Sequence, residues 1–262
     1  MNKSNQNHSS KTLPIKQLTF QDILDVFFIG LSDFLTAPAF GLFFGSIFAM
    51  GGLTITVLVF QFGAYWILYP FVIGFALIGP FIAAGLYDVS RRKHSDLPLK
   101  WSEVLGVIWL QRSREFSWMA VVTLFIFWIW MYLARTLVAI FFGFQGFATF
   151  GGFIEAVMTT PKGWIFLLVG HGMGAIIALV LFCLTVISYP LLLDKNVDFV
   201  TAMITSINVV CKSPAVMLTW GVFVVSAVVI SAIPAFTGLL ITLPVLGHAT
   251  WHLYTRATIK NN

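Results

Sequence analysis

Two histidines four residues apart, His248 and His252, would share one face of a helix. That spacing can present two imidazoles to a metal ion or bracket a polar ligand. Two ligands do not close a tetrahedral site, so the pair reads first as bundle-facing residues hydrogen-bonded to a neighbouring helix. His171, in Gly170-His171-Gly172-Met173-Gly174, is the third histidine in an apolar run. Counted at about 1.5 Å per residue from the outer helix ends, His171 lies roughly 10 Å deep and His248 roughly 18 Å deep. Axial ligands of a single haem need nearly equal depth, so a haem or copper centre on these histidines would require a strong tilt. Arg135 is a cation inside an apolar stretch, where it can snorkel, pair with Glu155 or serve a ligand. Asp88, Arg91 and Arg92 close another apolar run and read as a topology anchor with local ion pairs, or as a lipid-headgroup site. There is no Gly-x-Ser-x-Gly elbow, no HExxH, no phosphate loop and no facing carboxylate pair. The chain therefore reads as non-enzymatic.

The elements that must position these residues follow from composition. Of 262 residues, 59% are apolar and only 10% are charged, and the mean hydropathy is +0.93. A water-facing surface of ordinary charge density cannot be built from this chain, so its solvent is lipid. The net charge of +5 does not indicate nucleic acid, because the basic residues sit in short connections where topology and anionic lipid account for them. The expected partners are the bilayer and other membrane proteins. Cys183 and Cys211 stand alone and offer neither a disulfide framework nor a CxxC site. Met1 to Lys16 is polar, has no apolar core with a cleavage site, and reads as a disordered tail within residues 1–19.

About 20 apolar residues cross the hydrocarbon as a helix. Six runs qualify: Phe34 to Phe60, Ala64 to Tyr87, Trp118 to Phe142, Trp164 to Leu193, Ala215 to Ile233 and Phe236 to Tyr254. The last two form one uncharged stretch, and Pro234 before Ala-Phe-Thr-Gly is the expected turn. Thirteen of the 15 Lys and Arg residues fall in the tails, the second-to-third connection and the fourth-to-fifth connection; only Arg135 and Lys162 do not. Both termini are accordingly expected on the cytoplasmic side of the membrane, with Gly143 to Gly163 as a long external connection.

The stretches before spans one, three and five match in register. Asp22-Ile23-Leu24, Glu103-Val104-Leu105 and Asp198-Phe199-Val200 correspond, and Ser32 to Phe40, Ser113 to Val121 and Asn208 to Val216 follow in step. The paired spans carry Pro80, Pro190 and Pro244. The expected architecture is an all-α membrane fold of six transmembrane helices in three hairpins, each preceded by an interfacial amphipathic helix, over repeats 20–93, 99–193 and 198–254 of one domain spanning 20–256, with 257–262 as a C-terminal tail. In the third such helix Thr201, Thr205, Asn208 and Lys212 form a polar stripe opposite Phe199, Met203, Ile207 and Val210. Asp22, Glu103 and Asp198 stand where carboxylates cap helix starts. Gly41 with Gly45, Gly170 with Gly174, and the Gly74 to Gly79 region would allow close helix approach.

The segments Ile78-Gly79-Pro80-Phe81-Ile82-Ala83-Ala84-Gly85-Leu86-Tyr87-Asp88, followed by Ser90-Arg91-Arg92, and Leu243-Pro244-Val245-Leu246-Gly247-His248-Ala249-Thr250-Trp251-His252-Leu253-Tyr254 resemble a bacterial integral membrane protein family, domain of unknown function 2189. Some of its members carry the label of a cytochrome c oxidase subunit. The resemblance runs roughly from Phe20 to Arg256 and implies an architecture rather than a mechanism. Three functions remain open. The first is a non-enzymatic scaffold or accessory to another membrane complex, and the second a small-molecule or lipid transporter. The third is a haem or copper redox accessory of a respiratory oxidase, using His171, His248 and His252.

Overall fold

The computed structural model describes residues 14–61, 81–110, 114–143 and 150–258. The expected disordered tail before residue 14, most of the second span with Pro80, and the Gly74 to Gly79 region lie outside these residues. The described residues are helical almost throughout. In chain order the helices are α1 (Phe20–Thr36), α2 (Pro38–Phe60), α3 (81–94), α4 (Trp101–Leu110), α5 (Arg114–Phe142), α6 (Phe150–Thr159), α7 (Pro161–Thr185), α8 (Ser188–Asp194), α9 (Phe199–Lys212), α10 (Pro214–Ala232) and α11 (Leu239–Ala257).

Among the described residues, four helical stretches are long and apolar enough to cross a membrane: Pro38–Leu58, Glu115–Phe142, Pro161–Asp194 and Pro214–Ala232. Their flanks expose large side chains, among them Trp118, Phe125, Trp128, Leu168, Val222 and Ile230. Meanwhile Asp22, Asp33, Asp88, His248 and His252 are buried. That inversion of the water-soluble pattern is what lipid imposes: apolar surface faces out at no cost, and ionisable groups turn inward to find partners.

The first span starts later than its apolar run. Phe34 still belongs to α1, because Pro38 has no N–H to donate and forces Ala37 out of the helical region, to φ −134° and ψ 53°. A proline in the first turn then starts α2. The same break recurs at Ser213 (φ −137°, ψ 58°) before Pro214. The corresponding entry of the middle segment has no proline, and α5 runs unbroken from Arg114 through Trp118. The connection after α5 contains a helix of its own, α6, in which Phe-Ile-Glu-Ala-Val-Met supplies helix formers between glycines. Between α10 and α11 the chain turns through Ile233 to Gly238, and Ser231 and Thr242 hydroxyls meet across the turn at 2.5 Å.

The polar stripe expected on α9 does not face outward as a unit. Thr205 is buried, because α9 is gripped by α7 and α8 as well as α10. Its exposed residues include Asn208 and Lys212 of that stripe together with Val200, Ile204 and Ile207, the last three matched on α1 by the exposed Phe20, Leu24, Phe28 and Leu35 and on α4 by Trp101 and Leu105.

α11 is the hub. It packs against α1, α2, α8 and α10, and from Pro244 to Ala257 it is almost wholly buried. Its contact with α1 is backbone to backbone: a Cβ on Gly30 would lie 2.6 Å from the Ala249 nitrogen. Gly45 meets the Leu240 carbonyl in the same way: a Cβ there would lie only 2.8 Å from the Leu240 oxygen, so α2 is held as tightly. The termini reinforce this joint. Arg256 of α11 donates to Asp22 Oδ1 at 2.7 Å and to Asp25 Oδ2 at 2.9 Å, while Asp22 completes a capping box with Thr19.

Gly30→Ala is expected to cost about 1–3 kcal/mol, since the methyl must push two backbones apart. Gly170→Ala, with open space around the glycine, should be neutral or stabilise by up to about 1 kcal/mol through helix propensity. Thermal unfolding in detergent reads both, and equal midpoints would refute the close-packed joint. Burial alone would raise the Asp22 carboxyl, but hydrogen bonds from Arg256 and Thr19 and the nearby Lys16 charge hold it at about 2, below the ordinary 3.8. The folded value lies below the unfolded one, so the stabilisation, about 2 kcal/mol, is complete above about pH 4 and is lost as pH falls through 2. The stability gap between the parent and Asp22→Asn should therefore close on going from about pH 6 to pH 2.

Candidate functional site

Near its end α1 turns one face inward, with Ile23, Val26, Gly30, Asp33 and Phe34 buried. The Gly30 contact brings α11 close enough that Asp33, three residues on, meets His252, three residues beyond Ala249. The last two turns of α3 bring Ser90, Lys93 and His94 to the same point at i, i+3 and i+4.

The bonds converge on Asp33. Ser90 Oγ donates to Oδ2 at 2.8 Å, His252 Nε2 donates to Oδ2 at 2.7 Å, and Lys93 Nζ donates to Oδ1 at 2.8 Å and to Thr36 Oγ1 at 2.6 Å. Asp33, Ser90, His248 and His252 are each at most 4% exposed. Burial would raise the Asp33 carboxyl, but the donors His252, Lys93 and Ser90 outweigh it and hold the group well below the usual carboxylate range. Asp33 is thus an anion, which accepts and cannot donate.

That fixes the rest of the chain of bonds. Ser90 has one hydroxyl proton and gives it to Asp33, so the 2.8 Å contact between Ser90 Oγ and His248 Nδ1 must be the imidazole donating to the hydroxyl. The proton then sits on Nδ1, and His248 Nε2 is buried with no hydrogen bond of ordinary geometry among the described residues. His94 closes the site on its exposed side, its ring centroid 4.5 Å from that of His252. One ligand atom each of Asp33, His94 and His252 lies within 4.8 Å of the others.

The other candidate residues lie elsewhere. His171 is on the exposed side of α7, where Nδ1 donates to the Leu167 carbonyl at 2.7 Å. It borders an apolar groove of about 390 Å³ between α5 and α7, lined by Trp130, Leu137, Phe166 and Gly174. Arg135 is exposed on α5 and has no hydrogen bond or ion pair among the described residues, Glu155 included. Asp88, fully buried, accepts from Arg91 Nε at 2.9 Å and Arg92 Nε at 2.6 Å, and Arg92 reaches on to Glu103 of α4. The fork ties α3 to α4.

So the structure gathers His248 and His252 and leaves His171 and Arg135 apart. The central residue, Asp33, escapes a reading of the sequence that sorts charges by side, as do Lys93 and His94, which look like members of a basic connection. The available signal was a lone carboxylate one residue before an apolar run.

Asp33→Asn should cost about 3 kcal/mol or more, because it removes the charge that balances Lys93 and turns one of the two acceptor oxygens into an NH2 group that faces donors. Lys93→Met should cost less, its side chain being 30% exposed. A thermal midpoint for Asp33→Asn equal to that of the parent would exclude the carboxylate as the tie between α1, α3 and α11.

No curated protein and no solved structure matches the chain. The family match is narrower than the resemblance expected from the sequence: it includes the Gly79-Pro80 segment and the Asp88 fork, and omits both α1 and the α11 histidines. Residues 68–194, just under half of the chain, match the model of the family described as predicted integral membrane protein (DUF2189).

Proposed function

We propose that this protein is a non-enzymatic scaffold or accessory of another membrane complex, seated in a bacterial inner membrane with both termini cytoplasmic. In this reading its spans form three hairpins, each entered through an interfacial helix. The matching breaks at Ala37-Pro38 and Ser213-Pro214 support the repeat, 176 residues apart as the register requires. The apolar stripes of α1, α4 and α9, exposed at corresponding positions, support helices that dip one face into lipid.

The observation that carries the scaffold reading is how the buried ionisable groups are used. Asp22, Asp33 and Asp88 each have both carboxylate oxygens engaged by side chains or backbone of this same chain. Such groups join helices, and a substrate would have to break several charge-assisted bonds to use them. Transport would be favoured by a polar hollow, whereas the groove beside His171 and the hollow of about 400 Å³ between α7 and α10, near Phe182 and Gly221, are apolar. A haem shared by His171 and His248 is disfavoured, since one faces the α5–α7 groove and the other bonds Ser90 of α3.

Purification from native membranes in a gentle detergent, with mass spectrometry of what co-purifies, tests the reading. A defined set of membrane proteins in near-stoichiometric amount is the expected result. Recovery of the chain with lipid alone would count against a scaffold and for transport.

A further inference from the structure

We infer that Asp33, His94 and His252 form a binding site for a divalent transition-metal ion at the junction of α1, α3 and α11. The set is one carboxylate and two imidazoles, the ligand chemistry of three-coordinate protein sites that leave a fourth position open. The three residues come from three helices, so their approach results from the fold and not from neighbouring positions in sequence.

The distances fit an ion after a small adjustment. Ligands bound at about 2.0–2.1 Å in a tetrahedron stand roughly 3.4 Å from one another. The atoms here are within 4.8 Å; the 2.7 Å hydrogen bond between His252 Nε2 and Asp33 Oδ2 must open to about 3.4 Å, with the His252 proton moving to Nδ1 so that Nε2 presents its lone pair to the ion. His94, the exposed last residue of α3, is the one free to close the gap. Behind the ligands stands a buried outer layer: Ser90 fixes Asp33 Oδ2, and His248 fixes Ser90. Metal ligands are held in place by second partners of this kind.

The cluster already holds a cation. The Lys93 ammonium sits 2.8 Å from Asp33 Oδ1, on a flexible stem that reaches the surface. Asp33 and Lys93 together are neutral, so a dication placed beside the ammonium would be repelled; binding requires Lys93 to swing out. With Lys93 withdrawn, one carboxylate and two neutral imidazoles leave the bound ion with a net charge of +1, the balance of a His₂-carboxylate site. Lys93 therefore competes with the metal for Asp33.

The test is titration of the tag-free, chelator-treated protein in detergent with Co²⁺, whose visible bands report coordination, followed by competition with Zn²⁺. One equivalent of Co²⁺ should bind with a Kd below about 10 µM and yield to Zn²⁺. His94→Ala, at an exposed position where folding is not at risk, should weaken binding by about 10-fold or more. Lys93→Met should tighten it several-fold, and His171→Ala should leave it unchanged. Failure to bind one equivalent, or stoichiometric binding that His94→Ala does not alter, would overturn the site. So would binding lost in His171→Ala. Because the measurement reads metal and not partners, it stands or falls apart from the scaffold reading.

Discussion

A carboxylate that cannot reach water must be surrounded by donors, and Asp33 is where that requirement draws three helices together. Its oxygens take a hydroxyl and an ammonium from α3 and an imidazole from α11. Removing either buried donor, Ser90 or His252, would leave the anion short of a hydrogen bond in a site of low dielectric, at a cost of about 1–3 kcal/mol. The arrangement is mutually dependent. Ser90 is held by both Asp33 and His248, and Lys93 also binds Thr36, the last residue of α1. The polar contacts thus specify how the three helices are turned, while the Gly30–Ala249 contact specifies how near two of them stand.

This division of labour follows from the solvent. In water, burying Leu and Phe drives helices together; in lipid that force is absent, and association rests on close packing and on satisfying polar groups. The chain accordingly leaves Leu168, Val222 and Ile230 exposed and brings glycines to the α1–α11 and α2–α11 contacts. The described polar clusters around Asp22, Asp33 and Asp88 all tie helix ends or short connections, not the middles of the four apolar spans. Charges are tolerated there because long side chains such as Arg91, Lys93 and Arg256 can keep part of their length toward the interface.

The sequence disclosed what depends on local pattern. Apolar length marked the spans that the structure describes, Pro234 marked the turn after α10, and the i, i+4 spacing placed His248 and His252 on one face. What escaped it depends on partners far along the chain. Nothing near Asp33 announces that residues 57 and 219 positions away will supply its donors. The start of α2 escaped for a different reason: hydropathy runs smoothly from Phe34 to Phe60, and only the backbone geometry imposed by Pro38 divides it. Thr205 turned inward because two more helices cover α9 than a surface helix would have, and an amphipathic pattern cannot count neighbours.

The proposed repeat sharpens why the site lies where it does. In the register that aligns Asp22 with Glu103 and Asp198, the positions equivalent to Asp33 are Arg114 and Val209. Neither is a carboxylate. A threefold scaffold would therefore carry a carboxylate at this position in one of its three repeats, with His248 and His252 contributed by the last helix, which closes back onto the first. Structural necessity alone would not single out one corner, since Val209 shows that the corresponding place on α9 can be filled by an apolar side chain, fully buried. Substituting a buried hydrogen-bonded charge by a well-packed hydrophobe is often neutral or stabilising. The retention of a buried carboxylate at the α1 corner, where α9 carries a buried valine, is what the proposed metal site would require.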